Sequence, residues 1–216
     1  MLVALLIFAA PAFAQEGSVP LDAQTLEQAR RQFESGKTPE AIAALDALDA
    51  KSGPSGRSLD LRGRILYEKG QLDAAEKLFS EALEKDKASL ARLHLGDVFL
   101  ARKKFPQARD TYRAGTKETN ILGVYERLRF GMLLSYLGEK NDADAQEALG
   151  QIRFPSETGA YYFAQAAWAY GHGQTRDAEK WIKRCEEIFG GKVSPWFAGR
   201  FYDMGWTKTK AAASAD

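Results

Sequence analysis

Cysteine is almost missing from this chain. Cys185 is the only one among 216 residues, which excludes an intrachain disulfide and leaves no thiolate set for a zinc site or a redox pair. Its plain reading is a small buried hydrophobe. Histidine is nearly as scarce: His94 and His172 are the only two, neither has a histidine partner at ligand spacing, and neither a metal nor any other cofactor is expected. Net charge is missing as well, with 30 basic residues against 29 acidic ones, so no global field draws the chain to nucleic acid or to an anionic membrane. No apolar run approaches the ~20 residues that a membrane-spanning helix needs, and no span is expected.

Catalytic signatures are absent too. Ser35-Gly36-Lys37-Thr38 has the closing letters of a phosphate-binding loop, but Arg31 stands where the motif needs its first glycine, and the preceding residues are helical in character rather than strand-like. Gly53-Pro54-Ser55-Gly56 is one residue short of a nucleophile elbow. Acidic residues mix with lysines at helical spacing, as in Glu76-Lys77 and Glu84-Lys85, which describes a solvated helix face. The chain is therefore read as a binding protein and not as an enzyme.

With 45% hydrophobic residues the chain has material for a substantial core. Met1 to Ala14 carry no charge and end in Ala12-Phe13-Ala14, a small-x-small cleavage site followed by polar residues. This segment reads as a signal peptide cleaved after Ala14, with residues 15–23 as a linker, so an exported protein, periplasmic or secreted, is expected. The usual opening Lys or Arg of such a leader is missing.

The strongest pattern is a repeat. Alanines open a second helix at Ala41, Ala75, Ala108, Ala143 and Ala178, spaced by 34, 33, 35 and 35 residues. Five positions earlier lie Gly36, Gly70, Lys103, Gly138 and Gly173, glycine being suited to a helix end that enters the left-handed region. Twelve positions earlier the residues are small: Ala29, Gly63, Gly96, Gly131 and Ala166. Four positions later come Leu45, Phe79, Tyr112 and Ile182, with Glu147 breaking the series.

These coincidences resemble the tetratricopeptide repeat, most closely in Gly70-Gln71-Leu72-Asp73-Ala74-Ala75 through Phe79 and in Leu95-Gly96 with Ala108 and Tyr112. The resemblance covers residues 24–190 and implies an all-α, right-handed solenoid of about five helical hairpins. Arg62, Phe130 and Gln165 depart from the family pattern, standing where leucine usually precedes the small residue. Ser194-Pro195 then reads as a helix start, giving a capping helix within residues 191–206 that carries Trp196, Phe197 and Tyr202 against the final hairpin. Residues 207–216 read as a small, polar, frayed tail.

In the family resembled, partners lie along the concave face lined by the first helices. On that face the spacing puts Arg64, Tyr67, Asp97, Met132 and Tyr170, the residues expected to bind a partner, and the mix favours an apolar or aromatic peptide or helix. A scaffold in the bacterial cell envelope holding a protein partner is the expected function. The alternative is self-association through the aromatic C-terminal end, and behind it stands an enzyme using carboxylates in the groove, for which the sequence shows no motif.

Overall fold

The structure is a computed structural model that describes residues 21–86, 89–156, 158–190 and 195–208. The proposed leader, most of the linker, Ser194 and residues 209–216 lie outside the described residues. Those described form eleven helices and no strand. Five hairpins pair α1 (Leu21–Glu34) with α2 (Thr38–Ser52), α3 (Gly56–Glu68) with α4 (Leu72–Lys85), α5 (Ser89–Ala101) with α6 (Phe105–Thr116), α7 (Leu122–Gly138) with α8 (Asp142–Gly150) and α9 (Ala160–Gly171) with α10 (Thr175–Phe189). A last helix, α11, spans Pro195–Met204.

Local signals account for the helix ends. Ser55 and Ser58 cap the start of α3 reciprocally, the Ser58 amide donating to Ser55 Oγ and the Ser55 amide to Ser58 Oγ. Every hairpin turn closes in the same way: the amide of the turn residue donates to the carbonyl three residues back, and the next amide to the carbonyl five residues before it. These pairs are Gly36 to Phe33 with Lys37 to Gln32, and likewise at Gly70, Lys103, Lys140 and Gly173. This double bond satisfies carbonyls that a helix end would otherwise leave open. The same turn ends α11, where Gly205 donates to Tyr202 and Trp206 to Phe201.

The fourth turn corrects the repeat register. Its left-handed residue is Lys140 (φ 57°), not Gly138, which remains helical and is small because a Cβ there would collide with the Phe105 ring. Helix α7 is 17 residues long where α3 and α5 are 13, so the turn and everything after it in that hairpin shift by two residues. The alanine sealed in the core is accordingly Ala145, fully buried like Ala41, Ala75, Ala108 and Ala178, while Ala143 is exposed. The shift also removes the break at Glu147, since Leu149 takes that place and packs against the core.

Glycines in the first helices let the helices close on aromatic rings. A Cβ on Gly63 would meet Phe79, and one on either Gly96 or Gly131 would meet Tyr112, which is held between them. Tyr112 is the largest of the fully buried side chains, followed by Phe79 and the other buried phenylalanines. The first helices pack in series, α1 on α3, α3 on α5, α5 on α7 and α7 on α9, forming one continuous inner layer.

Helix α11 departs from the expected cap. Among the described residues it makes no contact with α10, its neighbour in sequence; it lies instead across α5, α7 and α9, on the inner layer. Trp196 and Phe197 are buried as expected, but Tyr202 is 43% exposed. Its apolar side is complementary to the inner face and not to the outer wall of the final hairpin, whose second helix is strongly charged.

Candidate partner-binding face

The inner face is built from residues that recur once per first helix. In the corrected register one row runs Asp60, Leu93, Phe130 and Phe163, and a second runs Arg64, Asp97, Leu134 and Ala167. Met132 does not belong to it. Two residues on a helix turn a side chain by about 200°, so Leu134 holds the position assigned to Met132, which is half-buried against the edge of the core.

The face has two halves. In the C-terminal half α11 is seated on an aromatic floor: Phe130 meets Phe197 edge to face at 5.2 Å, Phe163 stacks on Phe197 at 5.2 Å, and Tyr170 lies 5.1 Å from Phe201 and stacks on Trp206 at 5.8 Å. At the centre is a buried polar knot. Asp97 accepts from Tyr112 Oη at 2.7 Å and from the Trp196 indole at 2.9 Å, and it pairs with the Arg200 guanidinium. Arg200 Nε lies 2.9 Å from Asp203, which also accepts from Tyr67 Oη at 2.6 Å. The guanidinium stands over the rings of Tyr67 and Trp196, each at 5.2 Å. It is held by charge and ring faces, since its Nε and Nη1 make no aligned hydrogen bond.

The electrostatics follow from burial. Arg200 and Asp97 are each 3% exposed. Burial lifts the Asp97 carboxyl above its ordinary range, against the opposing pull of Arg200 and His94. Burial alone would depress Arg200, but the Asp203 and Asp97 carboxylates outweigh it and hold its pKa well above the usual value. Tyr67 and Tyr112 are raised well above theirs, chiefly by burial. Tied together by charge pairs and hydrogen bonds across four helices, the knot works as a structural clasp.

The N-terminal half is open. It forms a groove of about 650 Å³ between α1, α3, α5 and the start of α7, lined by Leu26, Arg30, Asp60, Arg64, His94 and Arg127 among others. His94 Nδ1 lies 2.8 Å from Asp60, and its ring packs on Phe79. Arg64 stands over Phe33 at 5.5 Å. Arg127 joins the halves, lining the groove while its guanidinium lies 5.8 Å from the Trp196 ring. Of the five residues expected to bind a partner, then, Arg64 faces the open half. Tyr67, Asp97 and Tyr170 lie beneath α11, and Met132 lies off the face. Arg200 and Asp203 were not singled out from the sequence; no local pattern marks them.

The family model described as tetratricopeptide repeat matches residues 26–86 and again residues 61–120, the first three hairpins. Residues 26–120 are tetratricopeptide repeats. A solved structure entitled MamA AMB-1 is similar to it, with a TM-score of 0.51 and 14% sequence identity, covering 79% of this chain and 92% of that one; the likeness is one of fold. No curated protein matches this tetratricopeptide repeat protein in sequence. The repeats make it a protein-protein interaction scaffold.

Proposed function

We propose that this scaffold works in the bacterial cell envelope, where it is exported by its apolar leader and holds a peptide or partner helix in the open half of its inner face. The observation that carries the reading is the groove of about 650 Å³, which offers apolar walls at Leu26 and Leu61 together with Arg64 and Arg127 as polar anchors. The reading as self-association is disfavoured by the same structure: Trp196, Phe197 and Phe201, which such a patch would use, are buried inside the chain's own fold.

The test is crosslinking and affinity capture from cells expressing the chain from its own start, with the mature N-terminus sequenced in the same sample. Recovery of a recurrent envelope protein, reduced at least about tenfold by Leu26→Asp with Arg64→Glu, is the expected result. Undiminished recovery would remove the groove from the proposal, and an intact leader with cytoplasmic partners would remove the envelope.

A further inference from the structure

The half of the inner face that α11 covers is part of the largest buried cluster, yet it also has the chemistry of an interface. It concentrates indole, phenol and guanidinium groups around buried charge, the residue types that dominate binding energy where proteins meet. A buried ion pair adds little stability over an apolar filling of the same volume, and its best-attested use is to select one arrangement over others. Among the described residues helix α11 makes no contact with its sequence neighbour α10 and is held by what it meets on α3, α5, α7, α9 and the Lys103 turn. Such a helix is a ligand supplied in cis.

We infer that the C-terminal half of the inner face is a receptor for an amphipathic helix, that α11 occupies it as a tethered stand-in, and that a partner protein presenting a helix of the same pattern takes its place. The pattern is read from α11. Trp196 and Phe197 lie one turn before Arg200 and Phe201, so the four share one face, with the arginine aimed at Asp97 and the aromatic residues on Phe130, Phe163 and Tyr170. Asp97 commits the site to a basic helix. An apolar helix without the arginine would leave that carboxylate buried beside it without a countercharge, which costs several kcal/mol. Tethering gives α11 an effective concentration of order millimolar, so the displacing helix must bind more tightly or act with a second contact. The open half supplies one: Arg127 faces both that groove and Trp196, so a partner reaching from one half to the other disturbs the indole where α11 begins.

This inference concerns the covered half and stands or falls apart from the role given to the open one. Two measurements test it. In hydrogen exchange on the full chain, amides of α11 are expected to exchange at least about tenfold faster than those of α5 and α9, through an opening that leaves these helices protected. Equal protection would make α11 a permanent part of the core and overturn the inference, whether or not any variant folds. In the second, a fluorescent peptide of residues 195–208 is titrated into the full chain bearing Trp196→Ala with Phe197→Ala. Saturable binding, at least tenfold tighter than to the unaltered chain and weakened at least tenfold by adding Asp97→Asn, is expected. Absence of binding to the folded variant would overturn the inference. A dimer that grows with concentration and is lost in the same variant would replace the partner protein by a second copy exchanging α11.

Discussion

A lysine in the left-handed backbone region carries a cost that its neighbours in the array avoid. Four of the six turns seen at the ends of first-type helices use glycine there, at Gly36, Gly70, Gly173 and Gly205, but Lys103 and Lys140 adopt φ 60° and 57°. The left-handed form costs an L-residue about 1–2 kcal/mol, and glycine returns part of this as extra freedom in the unfolded chain. Lys140→Gly should therefore raise stability by about 0.5–1 kcal/mol, measured as a higher urea midpoint with an unchanged slope. Lys103→Gly should gain less, since Lys103 Nζ donates to the Asp203 carbonyl and that contact would be lost. The Lys103 turn was legible because the spacing pointed to it whatever the residue. The Lys140 turn was not, because Gly138 two positions earlier carries the stronger local signal and spends its small size on contact with Phe105 instead.

For whole elements, the hairpins were readable to within a few residues, since each is fixed by short-range periodicity and by its own turn. The seat of α11 was not. The hydrogen bond from Trp196 to Asp97 joins residues 99 apart, and nothing local to either predicts the other. Spacing correctly brought Tyr67, Asp97 and Tyr170 to one face but could not show that the chain fills this face itself. The clasp can be probed by removing one partner. Arg200→Leu leaves Asp97 buried beside an alkyl chain and should cost about 3–5 kcal/mol at neutral pH. Burial already raises the Asp97 carboxyl, and Arg200 is the chief counterweight. Without it the folded-state pKa climbs further above the unfolded value, about 3.9. The Asp97 penalty is then absent below the unfolded pKa, grows as pH rises from there toward the folded one, and is fully present above it. The stability gap between the two proteins should accordingly narrow as pH falls from 7 toward about 4, followed by denaturation at each pH. A gap that stays constant would mean that Asp97 is not the source of the defect.

Over the whole molecule, stability is unevenly shared. The largest buried cluster runs from Leu93 and Leu100 through the last three hairpins to Trp196, Phe197 and Phe201, closed by α11. The first hairpin contributes to a much smaller one, in which Ala29, Phe33, Ala41 and Leu45 meet Leu61 and Ile65 of α3. In a stacked array each unit leans only on its neighbours, so an end unit with a small interface opens first. Exchange measured at rising denaturant should show α1 and α2 losing protection before α5, α7 and α9, with at least tenfold faster exchange below the main transition. Simultaneous loss across all helices would show instead that the array melts as one body.

One more property follows from the turn that ends α11. Counted by hairpins the described residues hold five units; counted by punctuation they hold six. Helix α11 closes as every first helix closes, with Gly205 in the left-handed region and the same two amide bonds, and no second helix answers it among the described residues. It is spelled like the opening half of another repeat and has been redirected from stacking to docking. Any tally of this array made from turn spelling will overcount by one, and the surplus unit is the one that sits inside.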